Sequence, residues 1–190
     1  MSFDTQAQNK ERVDLDQFDE IWLFGYGSLL YKVDFPILDK RPCYIRDWER
    51  RFWQGSHDHR GTPDNPGRVL TLIQATDSVC QGMAYKVSHD VFDYLDHREK
   101  NGYLRHVVDI HFSADESVSG VIYIADEDNA AYLGPATEQA IAEHIAASSG
   151  PSGPNREYVY RLADALRELD FNDRHVFTIE SELHKVVDLA

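Results

Sequence analysis

The chain has 190 residues and a formal net charge of −14, a balance that repels phosphate backbones and anionic membrane surfaces and so argues against nucleic-acid or membrane partners. Hydrophobic residues make up 42% and aromatics 12%, enough for a sizeable core and too many for a disordered chain. No apolar run approaches the ~20 residues of a membrane span, residues 1–9 lack a signal-peptide core, and Cys43 and Cys80 form no CxxC pair, so a cytoplasmic protein with two free thiols is expected.

In chain order, residues 1–18 read as a flexible polar lead-in, followed by one domain over residues 19–190. Ile21-Trp22-Leu23-Phe24 is an apolar, β-prone run that stops at Gly25-Tyr26-Gly27-Ser28 and resumes with Leu29 and Leu30. This pattern predicts a buried strand entering a glycine loop. Two glycines flanking one aromatic let the backbone turn tightly and leave its N–H groups open to a small anionic or carbonyl group. Further strands are expected over residues 44–52, 69–75, 82–87, 104–112 and 118–125, separated by turn-rich segments such as residues 61–67. One helix interrupts them, starting with Ser88 as N-cap and ending before Gly102. Two more helices are expected over residues 137–147 and 155–169, parted by a Gly/Pro-rich turn at 149–154. In the second, Asn155 is the expected cap, and Tyr158, Leu162, Leu166 and Leu169 share a face. A weaker element starts at Asp173. Strands first and helices last describe an α+β domain, a curved antiparallel or mixed sheet with helices outside it.

The helix within the strand-rich half carries Phe92 and Leu95 on its apolar stripe, and Glu99 falls on the same stripe. An ionised carboxylate turned inward is costly. It meets a cation, or it sits at the base of a cavity with a raised pKa; a structural ion pair or a place on the rim is the plain alternative. Arg98 should point about 100° away around the helix. Tyr103, after the Asn101-Gly102 turn, can reach the same cavity. Ser28 lacks the strand–GxSxG–helix context of a nucleophile, so its backbone is the expected contributor. His57 and His59 form an HxH pair without a third ligand at metal-like spacing, and Gly25-Tyr26-Gly27 lacks the third glycine of a dinucleotide fingerprint. Arg51, Arg60 and Arg105 are the cationic candidates for a substrate carboxylate, with surface solvation as the default for each. Trp22, Trp48 and Trp53 read as core or wall.

Phe24-Gly25-Tyr26-Gly27-Ser28-Leu29, shortly before Asp34-Phe35-Pro36, resembles the opening motif of the γ-glutamylcyclotransferases, in their ChaC-type, glutathione-directed branch. The likeness continues in order through Arg51-Phe52-Trp53-Gln54-Gly55-Ser56, Asp58-His59-Arg60-Gly61-Thr62-Pro63, Tyr94-Leu95-Asp96-His97-Arg98-Glu99, Asn101-Gly102-Tyr103, Tyr132-Leu133-Gly134-Pro135 and Ser152-Gly153-Pro154-Asn155. It covers residues 21–171. The resemblance implies a small, partly closed mixed β-barrel with flanking helices, no metal and no cofactor. It implies that Leu23, Phe24, Gly25, Tyr26, Gly27, Ser28 and Leu29 cradle a γ-glutamyl group, with Glu99 as the catalytic acid/base. One departure is Asn101, where many relatives have glycine; asparagine tolerates unusual backbone angles, so the turn should survive.

The chemistry so implied needs few parts. A γ-glutamyl amide carries its own nucleophile, because the free α-amine can attack the side-chain carbonyl and close a lactam, giving 5-oxoproline and the released amine without water. Ring closure gains from high effective molarity once the chain is folded back. The amine, with a reference pKa of about 7.7–8.0, must lose a proton, and the departing nitrogen must gain one. A single carboxylate of raised pKa can do both. The glycine loop could hold either the oxyanion or the α-carboxylate. The expected substrate is glutathione; other γ-glutamyl amino acids or amines, and a non-catalytic γ-glutamyl-binding module, are the alternatives. No motif speaks to oligomeric state.

Overall fold

In a computed structural model, residues 4–188 are described. Five strands close into a barrel in the order β1-β3-β2-β4-β5: β1 Ile21–Gly25, β2 Asp39–Ser56, β3 Gly67–Val87, β4 Leu104–His111 and β5 Ser117–Ile124. All neighbours are antiparallel except β1 and β5, which run parallel with Leu23 opposite Val121. The expected mixed barrel is therefore present, and closure removes the free sheet edges.

The unbroken apolar run of β1 has a simple cause: the strand is buried on both faces. Trp22 and Phe24 point into one hydrophobic cluster, with Phe52, Ile110 and Ile122. Ile21 and Leu23 alternate into the other, with Val121 and the helical Phe92 and Leu95. Side chains on successive strand residues face opposite ways, so β1 serves two cores.

The helices flank this barrel: α1 Gln6–Arg12, α2 Val91–Arg98, α3 Glu138–Ala146, α4 Asn155–Glu168 and α5 Arg174–Asp188. A small hairpin, β6 Ser149–Gly150 with β7 Gly153–Pro154, joins α3 to α4. Ile141, Leu162 and Ile179 bring α3, α4 and α5 onto the Trp22–Phe24 cluster. Among the described residues, no helix is long and apolar enough to cross a membrane.

Several boundaries depart from the sequence pattern, each for a tertiary reason. Residues 69–75 and 82–87 are parts of one strand, β3; the polar stretch between them pairs with β2 across a register shift near Asp47, whose carboxylate accepts from Asp77 N at 2.8 Å. Ser88 precedes α2 by three residues and does not cap it; Asp90 occupies the cap position. Asn155 does not cap α4 either. It is fully buried, and its side chain bonds the backbone N–H and C=O of Arg68 at 2.7 and 2.9 Å, tying α4 to β3.

The polar lead-in contains α1, and it packs. Asn9 is completely buried, donating to Tyr103 O at 3.1 Å and accepting from Arg105 N at 2.8 Å. Thr5 donates to Lys100 O and Tyr103 O. Its polar side chains satisfy backbone groups of the α2–β4 connection, which composition alone does not reveal. Residues 1–3 of the lead-in and residues 189–190 lie outside the described residues.

Candidate active site

The glycine loop begins where β1 leaves the barrel. Gly25 and Gly27 are glycines because neighbours approach too closely for a side chain: an added Cβ would lie 2.8 Å from Leu29 Cβ at Gly25 and 2.9 Å from the Tyr158 hydroxyl at Gly27. Ser28–Leu30 then form a single 3₁₀ turn. Its first bond runs from Leu30 N to Gly27 O, so the N–H groups of Ser28 and Leu29 have no partner within the turn. Buried side chains pin the loop. Arg50 Nε donates to Tyr26 O at 2.7 Å, the Tyr26 hydroxyl donates to Tyr123 O at 2.8 Å, and Tyr85 donates to Leu29 O.

Glu99 stands at the C-terminal end of α2, where its N–H bonds Leu95 O at 2.8 Å. Its side chain is 19% exposed and faces a cavity of about 530 Å³, whose wall also includes Phe24, Tyr26, Gly27, Ser28, Leu29 and Tyr103. That volume suits a small ligand. Burial raises the Glu99 pKa above the ordinary carboxylate range; the adjacent Arg98 opposes this, and Asp34 and Asp58 reinforce it. Such an elevation moves the carboxyl toward the range in which it can both take and give a proton.

Arg98 links the two halves of the site. Its Nη2 donates to Ser28 Oγ at 3.0 Å, its Nη1 to Asp34 Oδ1 at 2.6 Å, and its Nε lies 3.3 Å from Glu99 Oε1. The expectation that Arg98 turns away from Glu99 fails here. The 100° separation describes where side chains leave the helix, and a long arginine can return around the helix end.

The structure brings most, but not all, of the sequence candidates together. Leu23 and Gly25 do not line the cavity: strand alternation aims Leu23 at the Phe92–Leu95 cluster, and the side of Gly25 that would bear a Cβ is closed by Leu29 and Tyr85, while Phe24 and Tyr26 face the hollow. Tyr103 does line it, with its hydroxyl donated to Leu70 O. Burial holds Tyr26 and Tyr103 well above the usual tyrosine range, so both are neutral.

Of the three arginine candidates, only Arg60 lines the cavity. Arg105 is buried in a two-pronged pair with Asp96, at 2.9 and 2.6 Å, over the Phe92 ring. Arg51 pairs with Glu49 beside a separate surface hollow. Among the described residues, no group of three metal-ligating side chains converges; His59 instead meets Ser152 Oγ at 3.2 Å. Trp22 is core, 5.1 Å from the Phe112 ring. Cys43 and Cys80 are free and buried, their thiols pushed up to about 12 and about 11 by burial.

Arg98, Asp34, Asp58, Tyr31 and Tyr158 were missed as wall residues. Local pattern held a signal for one of them: Tyr158 recurs on the apolar face of α4. The others depend on contacts across the fold.

A closed barrel beside a cavity of small-molecule size, with a carboxylate of raised pKa and a glycine loop in the same wall, has the parts of an enzyme that binds a small molecule. The chain belongs to the ChaC-like protein family, whose model matches residues 21–186. It is 42% identical over 179 residues to gamma-glutamylcyclotransferase 2-3 of Arabidopsis thaliana, covering 88% of this chain and 90% of that protein. It is also 42% identical over 173 residues to glutathione-specific gamma-glutamylcyclotransferase 1 of Danio rerio, covering 86% and 88%. The crystal structure of the yeast γ-glutamyl cyclotransferase specific to glutathione superimposes with a TM-score of 0.81 at 32% identity, covering 87% of this chain and 96% of that one.

Proposed function

We propose that this protein is a glutathione-specific γ-glutamylcyclotransferase, converting glutathione to 5-oxoproline and cysteinylglycine. The observation that carries the reading is the shared cavity of Glu99 and the Gly27–Leu29 turn, bridged by Arg98. Relatives whose names state that activity, matched over most of their length, support it.

In this mechanism the γ-glutamyl chain folds back so that its α-amine faces the side-chain carbonyl carbon. Glu99 takes a proton from the α-ammonium. The amine nitrogen attacks the carbonyl carbon, forming the lactam C–N bond, and the carbonyl oxygen gains negative charge. Backbone N–H groups of the 3₁₀ turn stabilise that oxygen. The original amide C–N bond then breaks as Glu99 returns its proton to the departing nitrogen. Glu99 takes the second proton from the ring nitrogen and passes it to the released amine, leaving a neutral lactam N–H and an ammonium group. The Arg98 guanidinium, held beside Glu99 by Asp34, Ser28 and Lys32 O, supplies positive charge toward the α-carboxylate, which shares a carbon with the reacting amine. Holding reactants of one molecule in this pose supplies much of the rate through effective molarity. A cytoplasmic setting belongs to the same proposal, supported by two buried free thiols.

Incubation of the purified protein with millimolar reduced glutathione, with 5-oxoproline followed by chromatography, tests the reading. Equimolar 5-oxoproline and cysteinylglycine are expected. Absence of both overturns it, and faster turnover of γ-glutamylamines than of glutathione overturns the substrate assignment.

A further inference from the structure

A chain of net charge −14 that binds a tripeptide with two carboxylates must supply cations locally. The cavity wall carries Lys32, Arg60, Arg98 and Lys100 against Asp34, Asp58 and Glu99. Only two of those cations are both held and strongly buried. Arg98 is 13% exposed and Arg60 9%, whereas Lys32 is 59% exposed. A fixed guanidinium recognises a carboxylate better than a mobile ammonium, because its planar fork is already oriented.

The two arginines stand on different walls. Arg98 belongs to α2 and is tied to the glycine loop and to Glu99. Arg60 lies in the β2–β3 connection, and its Nη1 is anchored to Pro154 O at 3.1 Å and Glu157 Oε2 at 3.3 Å, where β7 enters α4. Those two bonds occupy Nη1, and the cavity-lining Tyr31 hydroxyl is a further hydrogen-bond partner of Arg60, so of the group's five donors two remain for a ligand. Tyr31 lies between them in the electrical sense: its hydroxyl feels both Arg60 and Arg98.

The proposed reaction, on which this inference rests, assigns one carboxylate to each wall. The α-carboxylate is bonded to the carbon bearing the attacking amine, so it must stay beside Glu99 and therefore near Arg98. The carboxylate of the terminal glycine is many bonds away, on the leaving dipeptide, and needs a second cation. We propose that Arg60 is the specificity-determining residue that receives this terminal carboxylate, selecting a γ-glutamyl dipeptide acid over γ-glutamylamines and over C-terminally blocked peptides.

The test is calorimetry on the Glu99→Gln variant, which keeps ligand intact, using glutathione and its glycine monoethyl ester as paired probes. The acid is expected to bind about 10- to 100-fold more tightly than the ester, the effect of one charged hydrogen-bonded contact. Adding Arg60→Gln should bring the ratio within about threefold. Equal binding of acid and ester overturns the proposal, as does a ratio that survives in a folded Arg60→Gln variant. Where Arg60→Gln does not fold, Glu157→Gln decides. Glu157 is 54% exposed and competes for Arg60, so its neutralisation should tighten the acid by up to about fivefold and leave the ester unchanged; equal effects on both overturn it. Failure here is separable from failure of the reaction. A protein that makes 5-oxoproline but ignores the ester block sinks this inference alone, and one that discriminates without turnover sinks the reaction alone.

Discussion

Two carboxylates three residues apart, Asp96 within α2 and Glu99 capping its C-terminus, are expected to respond in opposite ways to loss of charge. Asp96 is 1% exposed and grips Arg105, itself 4% exposed, with Tyr123 donating to the same carboxylate at 2.7 Å. Asp96→Asn strands a buried guanidinium, at a cost of about 3–5 kcal/mol. For a chain of this size that is a fall in Tm of about 6–20 °C. Glu99→Gln differs. Its amide is nearly isosteric, and Arg98 keeps Asp34, Ser28 and Lys32 O as partners. Losing a partly exposed ion pair costs up to about 1 kcal/mol, while burial of an ionised carboxylate is relieved. Stability should therefore stay within about 1 kcal/mol of the parent. Turnover should fall by at least about 10²- to 10⁴-fold, since both proton transfers lose their agent. Thermal unfolding followed by circular dichroism and 5-oxoproline release at saturating glutathione read the two effects. A Glu99→Gln protein that melts as early as Asp96→Asn yet keeps a tenth of the parent's turnover would refute the assignment of Glu99 to chemistry.

Other consequences follow from the same contacts. Because the Glu99 pKa is raised above 4.5, its basic form is lost as pH falls through that elevated value, so kcat/KM should decline on the acid side with a midpoint above 4.5; a midpoint at or below it contradicts the burial argument. The folded state also holds that proton more tightly than the unfolded chain, so Glu99's contribution to stability is full at low pH and is lost as pH rises through its folded pKa. Urea titrations should show this pH dependence removed in Glu99→Gln. Gly27→Ala puts a Cβ 2.9 Å from the Tyr158 hydroxyl, and Tyr158 is held edge-on to Phe52; a loss of about 1–3 kcal/mol and a raised KM are expected. Pairing it with Tyr158→Phe should recover stability, and no recovery means the crowding is elsewhere. Arg50→Met removes the anchors of Tyr26 O, Gln81 O and Asp173, so denaturant unfolding should show about 3–5 kcal/mol of lost stability and kinetics a raised KM; parent-like values of both contradict the pinning of the loop.

Much of the architecture is written in short-range pattern. The Ile21–Gly25 strand, the glycine loop and the Glu99 stripe are local features: strand propensity, turn chemistry and helical periodicity act over a few residues. The same is true of α3, where Thr137 caps the helix by accepting from Ala140 N at 3.2 Å. Polarity misled where tertiary contacts absorb it. Asn9 is a buried clamp rather than part of a loose lead-in, and the polar middle of β3 continues the strand that it was expected to interrupt.

Sequence by itself marked the candidates: a carboxylate just past α2, and two glycines, one closing β1 and one directly beyond it. Tertiary structure decided who meets them. Arg98 reaches Ser28 across 70 positions and Arg60 reaches Glu157 across 97, contacts set by barrel closure and helix docking. It also sorted three similar arginines, burying Arg105 against Asp96, pairing Arg51 with Glu49 and turning Arg60 to the cavity. Local rules cannot make that choice, because a side chain's partner depends on which distant strand or helix lies beside it, and only the folded chain specifies that.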